Sequence, residues 1–155
     1  RDTRQATVEA SAPAVFRAVC RLGGGRGWHA HDWLWRIRGA MDILVGGPGL
    51  RRGRRDPDHI AYGEALDFWR VVGVERDRSL VLRAEMKLPG EAVLEFRIEP
   101  AGLERCTLHM TALFKPRGLF GLLYWYGVVP FHNVVFRGML KGIMRDAKQL
   151  AAGAP

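Results

Sequence analysis

Between Glu64 and Phe114 the alternation of apolar and polar residues predicts four consecutive short strands, and the patterns on either side are helical. In Leu80-Val-Leu-Arg-Ala-Glu-Met-Lys-Leu88 every second position is apolar, while Arg83, Glu85 and Lys87 occupy the opposite face. In Glu91-Ala-Val-Leu-Glu-Phe-Arg-Ile-Glu99 the apolar set is Ala92, Leu94, Phe96 and Ile98. Such strict alternation indicates antiparallel strands with one buried and one wet face. Pro89-Gly90 marks the reversal. Parity demands a loop with an odd number of residues, because a slip of one flips every side chain. A three-residue loop sets Glu85 opposite Glu95; a five-residue loop sets Lys87, Glu85 and Arg83 opposite Glu95, Arg97 and Glu99.

The following strand, Arg105 to Phe114, buries Cys106, Leu108, Met110, Ala112 and Phe114 by the same count and turns His109 to solvent. The preceding one, Ala65 to Glu75, breaks the rule. One face carries Leu66, Phe68, Arg70, Val72 and Val74, and the other carries Ala65, Asp67, Trp69, Val71 and Gly73. Whichever face looks inward takes an ionisable side chain with it, unless a bulge re-aims the strand or the strand is an edge wet on both sides. A charge directed at an apolar interior needs a partner or a ligand.

Around this sheet, Thr3 to Glu9 predicts a first strand. Ser11 and Pro13 open a short helix ending near Leu22 at Gly23-Gly24-Gly25. That glycine triplet lacks the Lys-Ser/Thr of a phosphate loop. Asp32 caps a second helix, Trp33 to Val45, with Leu34, Ile37, Met41, Leu44 and Val45 at helical spacing for a sheet-covering face. After the sheet, Gly118 to Gly127 predicts a short helix. A long last helix then runs from Pro130 to Leu150, with Phe131, Val135, Met139, Ile143, Ala147 and Leu150 on one face.

Length places the 155 residues in one domain with a proper core. The longest apolar run, Gly118 to Phe131, ends at Pro130 and His132, short of the ~20 residues a membrane span needs. Cys20 and Cys106 lie far apart on apolar faces, as expected of buried thiols in the cytoplasm rather than a disulfide. A first residue that is Arg rather than Met is compatible with a piece of a longer protein. The net charge of +8 raises nucleic acid and anionic membranes as partners. Without interleaved exposed aromatics or a groove-reading motif, nucleic acid is not expected. Arg51, Arg52, Arg54 and Arg55 form an arginine-rich loop, read either as a solvated charge run or as an anion-binding fork. His29, His31 and Asp32 lack a clear further ligand, so no metal is expected. No serine or cysteine stands in a recognisable nucleophile–His–acid set, and no catalytic residue is assigned.

The order strand, short helices, antiparallel sheet, long last helix resembles the helix-grip fold of the START and Bet v 1-like superfamily, an α+β fold. The stretches Gly27-Trp28, Asp32-Trp-Leu-Trp-Arg-Ile-Arg-Gly39, Gly46-Gly-Pro-Gly-Leu-Arg-Arg-Gly-Arg-Arg-Asp-Pro57, Asp67-Phe-Trp-Arg-Val71, Ala84-Glu-Met-Lys-Leu-Pro-Gly90, Leu122-Leu-Tyr-Trp-Tyr126 and Pro130-Phe-His132 resemble an uncharacterised bacterial domain family within it. The resemblance implies a curved sheet wrapped around the last helix, with an apolar cavity between them. It also implies an NAD(P)-binding Rossmann domain as partner, in the same or a separate chain. The chain itself has no Gly-x-Gly-x-x-Gly turn, so no cofactor is expected on it.

The expected function is binding of a small hydrophobic molecule, with Trp28, Trp33, Arg36, Asp67, Trp69, Arg70, Trp125, Tyr126 and His132 as candidate contacts and Trp35 among the surrounding aromatics. The alternatives are a polyketide cyclase-like enzyme using Asp67 or His132 as acid or base, and the substrate half of a two-domain oxidoreductase. A third is a membrane-surface module using Phe120 to Trp125 beside Lys115, Arg117 and Arg137.

Overall fold

The computed structural model describes residues 1–23, 26–28, 32–47, 49, 54–56, 58–85 and 87–153. In chain order they form β1 (Asp2–Val8), α1 (Ala12–Cys20), α2 (Asp32–Leu44), β2 (Ala65–Leu66), β3 (Trp69–Glu75), β4 (Ser79–Ala84), β5 (Gly90–Pro100), β6 (Cys106–Pro116) and α3 (Gly118–Ala151). The strands make one antiparallel sheet in the order β1-β6-β5-β4-β3-β2. The predicted inner face is the one that is buried. Leu80, Leu82, Leu94, Phe96, Leu108 and Met110 all lie in the core. The opposite face is only partly wet: Thr111 is buried there, and His109, expected at solvent, is half-buried with its Nε2 covered 3.3 Å from Glu99 Oε2 and without hydrogen-bond geometry.

Helix α1 and the C-terminal half of α3 close this face. Val135, Met139, Ile143 and Ala147 recur at i, i+4 along α3 and are buried against α1 and the sheet, as the spacing predicts. The larger of these, Val135, Met139 and Ile143, each contribute about 1.5–3 kcal/mol by leaving water. Ser11 precedes α1 without a side-chain cap bond; its carbonyl accepts the Val15 N–H at 3.0 Å.

Four further expectations need correction. Ala65 to Glu75 is not one strand. It is a hairpin in which Leu66 pairs with Trp69 across a two-residue turn, with Asp67 in the left-handed region at φ 56°. An Asp tolerates that conformation better than most residues. Further along, the register shifts between Val71 and Gly73, the bulge considered for this stretch.

The β4–β5 register is neither of the two anticipated. Leu82 faces Leu94 and Val81 faces Glu95, and pairing stops at Arg83 and Val93. Parity is preserved, but the intervening backbone bonds elsewhere. Glu85 N–H donates to the Phe68 carbonyl at 2.8 Å, Lys87 N–H to Asp42 Oδ1 at 2.7 Å, and the Pro89 carbonyl accepts Arg117 N–H at 2.8 Å. Those partners satisfy groups that a tight hairpin would have paired across the turn.

The two helices expected after the sheet are one, α3, which runs through Pro130. Proline removes the bond to the carbonyl four residues earlier. That carbonyl belongs to Tyr126, an exposed residue. By length and composition α3 is therefore long and apolar enough to cross a bilayer, unlike the interrupted run read from the sequence.

Finally, α2 does not bury its apolar stripe. Ile37, Met41, Leu44 and Val45 are at least half exposed, and the helix buries Gly39 and Asp42 instead. The Asp42 carboxylate accepts backbone N–H groups from Gly49 at 3.0 Å and Lys87 at 2.7 Å, which anchors the end of α2 to the β4–β5 connection. Gly47 packs so closely on this carboxylate that a side chain there would collide with it.

Candidate functional site

The lightly packed helix α2, the β2–β3 turn, the inner face of β4–β6 and the first half of α3 enclose a cavity of about 410 Å³. Its size falls within the range of small-molecule sites. Two aromatic groups build much of the wall. In the first, Trp35, Phe68 and Trp69 stack with Trp28 behind them, at ring separations of 5.3–6.3 Å. In the second, Phe114 stacks on Trp125 at 5.3 Å, and His132 meets Trp125 and Phe136 edge-on at 5.4 and 4.7 Å. Aliphatic surface from Leu88, Ala92, Ala112 and Val135 fills the space between.

Polar groups on this wall are few. Arg38 of α2 donates to the Tyr124 hydroxyl of α3 at 3.2 Å, and its guanidinium lies 5.5 Å from the same ring. Both residues line the cavity, so this pair ties α2 to α3 beside it. A cation over an exposed ring contributes about 0.5–1 kcal/mol. Burial pushes the His132 imidazole below its ordinary pKa, with opposing influences from Asp2 and Arg4, and keeps it neutral near pH 7. Four side-chain polar atoms are buried without a hydrogen-bond partner among the described residues, and three of them, Trp35 Nε1, Trp69 Nε1 and His132 Nδ1, belong to cavity-lining residues.

Of the residues singled out from sequence, Trp69, Trp125 and His132 line this cavity together. The others stand elsewhere. Trp28 lies behind the wall, where its Nε1 donates to the buried Asp67 Oδ2 at 2.8 Å. Asp67 is therefore a turn and core group rather than a wall group. Arg70 forks onto Glu85 at 2.8 and 3.1 Å and donates to the Gly63 carbonyl, clasping the β2–β3 hairpin. Trp33 and Tyr126 are largely exposed, and Arg36 lies exposed on α2.

In the arginine-rich loop, Arg51 and Arg52 lie outside the described residues. Arg54 donates to the carbonyls of Cys20, Leu22 and His59, so its guanidinium knits the loop to α1, and Arg55 is exposed. His29 and His31 also lie outside the described residues; Asp32 Oδ1 accepts the Trp28 N–H at 2.9 Å. Sequence reasoning did not single out Arg38 and placed Tyr124 only in the membrane-surface reading. The i,i+3 placement of Arg38 one turn beyond Trp35 was the available signal.

A family model described as "Protein of unknown function (DUF2867)" matches residues 1–139. Among solved structures, the chain is similar to the Zhui aromatase/cyclase from Streptomyces sp. R1128, with a TM-score of 0.59 and 16% identity over 99% of this chain and 98% of that one. It is also similar to norcoclaurine synthase from Thalictrum flavum, with a TM-score of 0.55 and 12% identity over 96% and 93% of the two chains. A START superfamily protein from Mycobacterium smegmatis gives a TM-score of 0.54 and 12% identity over 96% and 97%. These likenesses establish the helix-grip fold, a curved antiparallel sheet against a long last helix. A shorter match, 28% identical over 90 residues, links the chain to the aspartate carbamoyltransferase regulatory chain of Methanosarcina barkeri (strain Fusaro / DSM 804). It spans 57% of this chain and 58% of that relative.

Proposed function

The chain belongs to the DUF2867 family of proteins of unknown function, and we propose that it binds a small hydrophobic molecule in the cavity between sheet, α2 and α3. The observation that carries this reading is the wall itself: two aromatic groups around about 410 Å³ that the surrounding side chains leave unfilled. Well-packed cores contain few voids larger than a water molecule, so a space of this size supports a binding site over a packing defect. The free, buried Cys20 and Cys106 fit a cytoplasmic setting. Native mass spectrometry of the purified protein, followed by denaturing extraction, tests the proposal. A one-to-one apolar adduct supports it, whereas a protein that carries nothing and also fails to take up a hydrophobic dye counts against it.

Turnover of the bound molecule is the finer reading, supported by the fold shared with an aromatase/cyclase and a norcoclaurine synthase. On this wall His132 is the group suited to take a proton, because it is neutral near pH 7. Asp67, away from the wall and bonded to Trp28, is not. Supply of the ligand to a separate NAD(P)-binding domain would use the same cavity, and co-purification with such a domain tests it.

Contact with a membrane surface is a second reading, favoured by one observation. Ile37, Met41, Leu113 and Phe131 both line the cavity and are exposed, so its rim is apolar. Exposed Lys115 stands at the end of β6, and exposed Arg117, paired with Glu91 at 2.9 Å, directly precedes α3. Sedimentation with anionic vesicles at low salt distinguishes this reading, and no binding ends it.

A further inference from the structure

Three tryptophans share one aromatic cluster, and they differ in how their indole N–H groups are satisfied. Trp28, which does not line the cavity, donates to the buried Asp67 carboxylate at 2.8 Å. Trp35 and Trp69, which do line it, have buried Nε1 atoms without a partner among the described residues. The indole nitrogen is a donor only, so the missing partner in each case is an acceptor. A buried donor left unpaired is costly, and two in one wall is an arrangement that a fold avoids unless something else supplies the acceptor.

We propose that the ligand of this cavity is a ring compound bearing a carbonyl-type oxygen, which the Trp35 and Trp69 indole N–H groups recognise. The ring follows from the stacked aromatic wall, on which flat apolar faces pack well. The oxygen follows from the donors, since an indole N–H can be satisfied only by an acceptor. Neighbouring atoms cover both N–H groups, so recognition as proposed includes a turn of the two indoles toward the bound oxygen. The inference rests on the cavity being a ligand site and adds what the ligand must carry.

A matched pair of probes tests it: 2-acetylnaphthalene, and 2-isopropenylnaphthalene, in which a methylene replaces the oxygen at nearly the same shape. Affinities are measured by isothermal titration calorimetry on the full chain and on Trp35→Phe, Trp69→Phe and the double variant, each checked for folding by circular dichroism. The ketone should bind the unsubstituted protein about five- to tenfold more tightly, the worth of one or two net hydrogen bonds. The double variant should lose that preference while holding the alkene as before. Equal affinity of the two probes for the unsubstituted protein, or a preference that survives in the double variant, overturns the inference alone. Failure of both probes to bind overturns the cavity reading and this inference with it. Should Trp69→Phe not fold, the probe comparison on the unsubstituted protein and on Trp35→Phe decides the matter.

Discussion

Trp28 Nε1 and Asp67 Oδ2 are joined by a 2.8 Å hydrogen bond that is buried at both ends, linking the segment before α2 to the β2–β3 turn. Gly23 packs closely beside this carboxylate: a Cβ there would lie 3.1 Å from Asp67 Oδ2, and its φ of 79° also favours glycine. Removing one donor from a buried acceptor costs about 1–3 kcal/mol. Trp28→Phe should therefore lower the unfolding free energy by about that amount in urea titrations. Because neither residue lines the cavity, probe affinity should stay within about twofold, a few tenths of a kcal/mol.

His132 should make stability depend on pH in a defined sense. Its folded pKa lies below the ordinary 6.5, so between the two values the unfolded chain binds more protons than the folded one. The stability it supports is fully present above about pH 6.5 and is lost as pH falls toward the folded pKa. Melting temperatures of the unsubstituted protein and His132→Asn, compared between pH 7.5 and pH 5, isolate this contribution. The gap between the two should narrow or reverse on acidification; a constant gap would show that His132 titrates normally.

Burial pushes the Cys20 thiol up to about 12, overriding the lowering influence of nearby Arg54. Only the thiolate is a good nucleophile, so Cys20 should resist iodoacetamide at pH 8 in the folded protein and react freely in guanidinium. Peptide mapping after alkylation checks this, and rapid native labelling of Cys20 would contradict its burial.

Ala112 sits on β6, on the cavity wall, with its inner neighbours already in place. Ala112→Phe should project a ring into the void, keep the native circular dichroism spectrum, and weaken hydrophobic-dye binding by at least about tenfold, or 1.4 kcal/mol. A dye that binds Ala112→Phe undiminished is held outside the cavity.

The strands were legible because their period-two pattern is tied directly to burial, and Leu80, Leu82, Leu94 and Phe96 face where that pattern points them. The role of α2 was not legible. Periodicity identifies an apolar stripe through Ile37 and Met41 but says nothing of whether another element covers it. Here the residue that anchors the helix is a carboxylate, Asp42, whose partners are backbone N–H groups and leave no trace in side-chain patterning. Asp42→Ala should accordingly cost about 1.5–3 kcal/mol per lost bond and loosen the α2 wall, raising amide exchange in 32–44. The β2–β3 turn escaped notice because Asp67-Phe68 contains no glycine. The clash between Asp67 and Arg70 on opposite faces was its signature. The cavity was invisible because its wall draws single residues from elements far apart in the chain, and no local pattern records the space between them.

The displaced register at Val72 also bears on what the edge of the sheet offers to another chain. The outer edge of β3 is matched as far as Val71, where Gly63 and Glu64 exchange backbone bonds with it. Beyond that point no described strand pairs with the edge, and an open edge is a template for joining other chains. The bulge breaks the template at its first free position, so an arriving strand would find only Gly73 to Glu75 in step. Deleting Val72 would straighten this border and leave a longer, flatter rim, turning a guarded margin into a place where copies could zip together into aggregates.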